Sequence, residues 1–265
     1  MRYFFVEPQE LARPVVTIVG QEASHMGRVL RLKPGVVVVL SDGCGLQGEA
    51  RIEKVTRDCI ELTVLRRFPS PRDPRGELVM AQAMLKDQKM DLLVRQLTEL
   101  GMTAWRPFIS ARSVPQPDAR RQAARSQRWE RIAREAVKQC RRGRVPAIGS
   151  VGQLADILEE GQRFETRILF WEGARRPLPM AAEKPPDSAG NTFVVVGPEG
   201  GFAKEEAAAA EKAGFRLASL GPRVLRAETA AVAACTLVQY LYGDLTQAPP
   251  IEDDESSDGG ACESI

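Results

Sequence analysis

The hydrophobic period of this chain changes once, and the change falls at the segment PSPRDPRG, Pro69 to Gly76. Before it, VVVVL (36–40), EARIEKV (49–55) and CIELTVL (59–65) are short β-rich runs separated by turn signals, the pattern of a small all-β barrel or sandwich. One helical patch, ASHMGRVLRL around His25, interrupts them. After it, apolar runs at 78–84, 104–109, 167–171, 193–197 and 215–220 alternate with helical patterns at 89–100, 126–140, 203–214 and 228–242. That alternation predicts an α/β domain with a mainly parallel sheet. The helix over 126–140 has one clean apolar face: Trp129, Ile132, Ala133, Ala136, Val137 and Cys140 recur at helical spacing. Three prolines, a serine and a glycine make 69–76 a linker or boundary. The sequence therefore predicts a β unit over 1–75, an α/β unit over 76–243, and a tail from 244 to 265.

Composition excludes several classes. At 43% hydrophobic and 27% charged residues, the chain is ordinary for a globular protein. No apolar run approaches the ~20 residues that span a bilayer, and MRYFFVEPQE is too short and acidic to read as a signal peptide. The five cysteines never form CxxC, which argues against a disulfide framework or a Cys-rich zinc site and suits a reducing, cytoplasmic setting. With His25 the only histidine, metal sites built on imidazole and Ser-His-Asp triads are disfavoured, and no metal is expected.

The formal net charge of +2 is an average over opposites. Residues 112–144 carry 11 basic and 3 acidic side chains, whereas 244–265 carry 7 acidic and no basic ones. The acidic tail has too few apolar residues to offset the entropy of ordering and is predicted to be disordered. It reads either as a solubilising terminus or as an acidic mimic of RNA. In the basic block, Glu130–Arg134 and Arg131–Glu135 are spaced as helical ion pairs. Three acids cannot neutralise eleven bases, and such a surplus on one element is the footprint of a nucleic-acid binder.

Three glycine-rich turns invite a binding role. Gly43-Cys44-Gly45-Leu46-Gln47-Gly48 satisfies GxGxxG, but a strand-like run follows where a dinucleotide site needs a helix, so it reads as a hairpin turn. In VVVGPEGGF (194–202), an apolar strand runs into Gly197-Pro198-Glu199-Gly200-Gly201 and a helix follows. Glycines at a strand's C-terminal end let backbone amides approach a ligand, and the absence of GK[ST] excludes a phosphate-cradling P-loop. Leu220-Gly221-Pro222 ends the next strand, with Arg223 and Arg226 in the connection and Glu228 or Thr229 opening a helix. These arginines read either as a cationic loop or as plain charge pairing with Glu228. Two consecutive strand-end loops of this kind are placed to wall one cleft.

Taken together, HMGRVLRLKPG (25–35), DGCG (42–45), KMDLLVRQLTELG (89–101), RWERIAREAVKQCRRGRVP (128–146), GPEGGF (197–202) and LGPRVLRAET (220–229) closely resemble the ribosomal RNA small subunit methyltransferase E family. The resemblance implies a PUA-like β-barrel followed by a SPOUT-type parallel-sheet domain with a trefoil knot, an exception to the rule of unknotted chains. It implies S-adenosylmethionine as cofactor, a homodimer, and methylation of N3 of a specific uridine in 16S rRNA of the small ribosomal subunit, near the decoding centre. By motif it assigns Gly197, Pro198, Glu199, Gly200, Gly201, Leu220, Gly221, Leu225, Arg226 and Thr229 to the cofactor. It assigns Arg28, Arg31, Lys86, Lys89, Arg112, Arg128, Arg141, Arg142 and Arg144 to RNA. The chain departs from the family where Asp87 replaces a common glycine and Ala111 a common glutamate, so an acid–base role cannot be carried onto position 111.

A uridine N3–H is unreactive until its proton is removed or its anion stabilised. The sequence offers no compelling base, and His25, in the β unit, reads as a structural or RNA-contact residue. The expected catalytic groups are therefore arginines: Arg223 or Arg226 from the second loop, and Arg112 or Arg142 from the basic region. The rival reading is a non-catalytic RNA-binding ribosome-assembly factor, which the basic block alone would allow; a nicotinamide oxidoreductase is a distant third.

Overall fold

The structure, a computed structural model, describes residues 2–86, 88–114, 119–175, 178 and 190–250. Asp87 and the tail from 251 onward lie outside the described residues.

The first sheet is formed by β1 (Tyr3–Phe5), β2 (Val15–Val19), β3 (Val37–Ser41), β4 (Leu46–Val55) and β5 (Cys59–Pro69), in the order β1-β3-β4-β5-β2. β1 runs parallel to β3, and every other pair is antiparallel. Register shifts between Glu49 and Ala50, and between Ile52 and Lys54, interrupt the β4–β5 ladder, as irregularities do where a sheet bends. This is the curled, PUA-like sheet. Its inner face buries Phe4, Val16, Ile18, Val38, Leu40, Ile52, Ile60 and Leu62, the alternate residues of their strands. Leu11 of the short helix α1 (Pro8–Leu11) and Met26 close that core; Met26 lies in a π-helical turn (His25–Val29) that continues α2 (Gly20–Ser24). The DGCG turn is a hairpin as expected, with the Asp42 carboxylate accepting hydrogen bonds from the amides of Cys44 (2.7 Å) and Leu46 (3.0 Å).

The second sheet is entirely parallel. Its elements run β6 (Leu78–Ala83), α3 (Lys89–Glu99), β7 (Ala104–Ile109), α4 (Ala119–Cys140), β8 (Ala147–Ile148), β9 (Gly152–Gln153), α5 (Leu154–Gly161), β10 (Thr166–Phe170), β11 (Thr192–Val196), α6 (Lys204–Lys212), β12 (Arg216–Ala218) and α7 (Ala227–Tyr242). The strand order is β12-β10-β11-β6-β7-β8, with β9 also on β7. Central strands β6 and β11 are buried along their whole length, which explains their near-continuous apolar runs. One face packs Met80, Trp105, Ile168, Phe170, Val194 and Val196 against α3, α4 and α7; the other packs Val79, Phe108, Leu169, Phe193 and Val195 against α5 and α6. Because β11 inserts between β10 and β6, strand order reverses beside β6, and such a switch point opens a crevice at the strands' C-terminal ends.

The segment 69–76 is not a slack connection. Asp73 accepts hydrogen bonds from the amides of Gly143 and Arg144, both at 3.0 Å. The hairpin tip docks on the same stretch through Val145 N to Gly43 O (3.0 Å), and Ser41 Oγ donates to Gly143 O (3.2 Å). The C-terminal end of α4 faces the first sheet: Lys138 pairs with Glu22 at 3.0 Å, and Arg134 lies 5.3 Å from the centre of the Phe5 ring. Glu135 pairs with Lys138 at 3.5 Å, and among the described residues the Arg131–Glu135 pair expected from spacing does not form.

Candidate active site

The C-terminal ends of β10 and β11 and the loop after β12 enclose a cavity of about 570 Å³, within the range of small-molecule sites. Gly197 to Gly201 wall one side, and Leu220, Gly221, Leu225 and Arg226 the other; Pro198, Glu199 and Arg223 line it as well. Nine of the ten residues assigned to the cofactor by motif thus meet in one place. Thr229 does not line it: it lies exposed in the first turn of α7, past Ala227 and before Ala230, which do. The floor is apolar, from Phe170, Val196 and Phe202, and Trp171 and Glu172 close the β10 side. Sequence reasoning missed Phe170, Trp171 and Glu172. The run RILFW signalled their strand, but only the pairing of β10 with β11 brings its end to the cavity.

Local chemistry explains the loops. Gly201 has φ +64°, and a Cβ there would run into the Glu172 carboxylate; Gly200 packs against Arg112. Gly221 has φ +100°, conformational space that side chains avoid, and it opens onto free volume. Buried Gln82 donates to the carbonyl of Gly197 at 2.9 Å, fixing the start of the first loop to the neighbouring strand. Arg112 donates from Nη1 to the carbonyl of Gly200 at 3.0 Å, holding the 110–114 segment against the loop's back.

Lys89, at the start of α3, reaches across the cavity mouth. Its ammonium lies 3.0 Å from Glu199 Oε1 and 3.3 Å from Glu228 Oε2. The Glu199 hydrogen bond raises the lysine pKa against the lowering effect of burial. Burial pushes the Glu199 carboxyl up, yet the Lys89 ammonium, its own amide and that of Lys86 outweigh it and hold it below the usual carboxylate range. Lys86 is exposed, with its backbone amide donating to Glu199 at 3.2 Å.

The expected RNA-facing residues divide into two groups. Arg28, Arg31 and Arg144 are exposed. Arg128 is exposed but pairs with Asp91 at 2.6 Å, and Arg141 stacks 5.9 Å from the Tyr3 ring centre. Arg142 is a correction. Only 4% exposed, it donates from Nη1 to the carbonyls of Thr98 (2.7 Å) and Met102 (2.9 Å), with Nε 3.8 Å from Asp73. Its guanidinium is turned inward to the end of α3, away from the cavity and from solvent, so it neither faces RNA nor joins Arg223 and Arg226 at the cavity wall; Arg112, behind the loop on the Gly200 carbonyl, does not line the cavity either. Between α3 and α4 a second groove of about 770 Å³, lined by Lys89, Arg95, Arg128 and Arg131 with Asp91 and Glu135, meets the cavity at Lys89.

Residues 71–239 match the RNA methyltransferase domain family, and residues 18–65 match the RNA methyltransferase PUA domain. A ribosomal RNA small subunit methyltransferase E from Mycobacterium bovis is 33% identical over 244 residues, covering 90% of this chain and 91% of its own. This chain belongs to the ribosomal RNA small subunit methyltransferase E family. The Bacillus subtilis member is 27% identical over 247 residues, covering 91% of this chain and 96% of its own. The crystal structure of the Neisseria gonorrhoeae member, bound to S-adenosyl methionine, superposes with a TM-score of 0.81 at 28% identity, covering 93% of this chain and all of that one. Membership fits both halves of the molecule: a curled PUA-like sheet and a parallel α/β sheet whose reversed strand order opens the cavity. Among the described residues no helix is long and apolar enough to cross a membrane.

Proposed function

We propose that the chain transfers the methyl group of S-adenosylmethionine to N3 of a specific uridine of 16S rRNA in the small ribosomal subunit. In this reading residues 76–243 carry the transfer on a trefoil-knotted chain acting as a cytoplasmic homodimer, and residues 1–75 hold RNA. The observation that carries it is the meeting of both glycine-rich loops with the β10 end in one cavity.

The residues present fit that cofactor. Phe170, Val196, Leu220 and Leu225 offer apolar faces to an adenine, and the loops' backbone runs close to the cavity because Gly200 and Gly201 carry no side chain. Glu172 supplies negative charge suited to a sulfonium or an ammonium. When bound, the cofactor supplies an already activated methyl, so the protein's task is to position the nucleophile in line with it. Arg223 and Arg226 are exposed at the cavity wall, where their guanidinium groups would stabilise negative charge on the uridine O2 and O4 once N3 has given its proton to solvent water. Arg112 has one Nη on the Gly200 carbonyl and keeps further donors for the RNA. The target base must leave its stack to present N3, and the α3–α4 groove offers a cationic path ending at the cavity.

The test is transfer of tritiated methyl groups to small subunits from cells lacking the enzyme, with the modified nucleotide mapped. We expect label at N3 of a single uridine, lost by roughly 100-fold or more in the doubly substituted Arg223→Ala, Arg226→Ala chain, the scale of losing a positioned charge stabiliser. Label at another atom overturns the target. Full activity without both arginines overturns their role, and cofactor binding without transfer to any RNA favours an assembly factor.

A further inference from the structure

We infer that Lys89 is a positioning residue of the cofactor cavity: its ammonium ties Glu199, in the loop after β11, to Glu228, in the first turn of α7, and so sets the separation of the two walls. This rests on the cofactor reading of the cavity. The geometry is specific. A single Nζ lies 3.0 Å from one carboxylate and 3.3 Å from the other, and these belong to the two segments on either side of the cavity. Glu228 Oε2 is buried and accepts no well-aligned hydrogen bond, so the lysine's charge is what compensates it. Lys89 was expected to meet RNA; two carboxylates already hold its ammonium.

Without the cation, two carboxylates would face each other at short range, where like charges resist joint ionisation. The other charged groups around them do not replace it. Lys86 contributes its backbone amide to Glu199, and Asp91 is occupied by Arg128 and Trp129. Arg112 sits on the Gly200 carbonyl; Glu172, Arg223 and Arg226 line the cavity without an ion pair to Glu199 or Glu228 among the described residues. A proton on one carboxylate is the remaining substitute. Removing Lys89 should therefore make the cavity depend on pH in a way that merely losing packing would not.

The experiment measures S-adenosylmethionine binding calorimetrically, and melting temperature without cofactor, at pH 8 and pH 5.5. It uses the full-length chain and its Lys89→Met, Lys89→Arg and Lys89→Met, Glu228→Gln variants. At pH 8, Lys89→Met should bind roughly 10-fold more weakly, about 1.4 kcal/mol. At pH 5.5 its deficit relative to the unsubstituted chain should shrink several-fold, and its melting deficit should shrink with it. Lys89→Arg should keep most of the affinity at both values. Adding Glu228→Gln should restore affinity at pH 8, because the repulsion is gone. Equal binding by Lys89→Met at both values, a deficit that neither acid nor Glu228→Gln relieves, or a loss confined to RNA affinity would each overturn the clamp. If the unsubstituted chain binds no S-adenosylmethionine, the cofactor reading fails instead; the clamp is then judged by the melting deficits, and a deficit independent of pH refutes it.

Discussion

Replacing Arg142 separates a structural cation from a catalytic one. In Arg142→Ala, the carbonyls of Thr98 and Met102 lose the donor that reaches them at 2.7 and 2.9 Å, in a place where water has little access. The Met102 carbonyl is left unmet, at about 1–3 kcal/mol, whereas Thr98 keeps the Gly101 amide at 3.1 Å and loses a hydrogen bond from a charged donor, about 1.5–3 kcal/mol. Burial is the main influence on this guanidinium and lowers its pKa, so removing a poorly solvated charge returns part of that cost. Asp73 loses only a distant partner and keeps the amides of Gly143 and Arg144. A net loss of about 2–5 kcal/mol follows. At about 2–4 °C per kcal/mol for a chain of this size, that is a fall of roughly 5–20 °C in melting temperature. Arg142→Met fills the volume without the charge and should fall less than Arg142→Ala. Differential scanning calorimetry, paired with a cofactor isotherm and a single-turnover assay well below the transition, distinguishes the two roles. Melting within about 2 °C of the unsubstituted chain, with methyl transfer reduced more than 10-fold, would refute the structural assignment and return Arg142 to the active site.

Gly201→Ala places a Cβ against the Glu172 carboxylate at φ +64°; the left-handed backbone alone costs about 1–2 kcal/mol, and cofactor affinity measured by calorimetry should fall at least ~10-fold. Thiol labelling at pH 8, mapped by mass spectrometry, should modify exposed Cys44 early. Cys235, whose thiol burial pushes up to about 12, should react only on unfolding, and labelling of Cys235 in the native chain would contradict its burial. Glu199 has a folded pKa below its unfolded one, so its contribution to stability is complete above the ordinary glutamate range and is lost as pH falls through the folded value. The melting deficit of Glu199→Gln should thus be largest near neutrality and vanish in acid; a deficit that is unchanged in acid would be inconsistent with the ion pair.

What the sequence discloses depends on whether a feature is local. The two cavity loops are legible because glycine and proline punctuate the ends of apolar runs, and backbone requirements of that kind are set within a few residues. The apolar face of α4 is legible for the same reason: Trp129, Ala133, Ala136 and Val137 are all buried. By contrast, β1 is a strand only because Tyr3 to Phe5 lie beside Val39 to Ser41, and β8 spans two residues. β2 alternates in burial over Val15–Val19 but not in sequence, where four of five residues are apolar, and α5 is too short for its spacing to stand out. Composition made 69–76 a linker, yet Asp73 binds amides some 70 positions away, a contact no local signal encodes. Arg142 is assigned to RNA by a matching motif, and neither a motif nor a count of charges says which way a side chain turns.

That last point changes what the basic block means for RNA. Formal charge in 112–144 overstates the field presented to a phosphate backbone, because several of its cations already have work inside the molecule. Arg142 is buried, Arg128 pairs with Asp91, and Lys138 pairs with Glu22 and Glu135. Arg134 and Arg141 stack on aromatic rings of the first sheet, keeping their charge but losing reach. Counterion release counts the phosphates neutralised, not the arginines encoded, with a slope of about −0.7 per contact for single-stranded RNA. If all eleven bases met phosphates, the slope of log affinity against log salt would approach roughly −8 per chain. With the five internally engaged cations withheld, and Arg121, which also has a partner, at most five remain in the block, and the slope it supplies should be no steeper than roughly −3.5. Binding of a short single-stranded RNA across a salt series tests this directly. The contrast between Arg131→Ala and Arg128→Ala isolates it: the first should flatten the slope by about 0.7, and the second by less, because Asp91 is freed to repel phosphate while the cation lost was already paired. An equal change from both substitutions would mean that the Arg128–Asp91 pair opens on binding and that the block acts at its full formal charge.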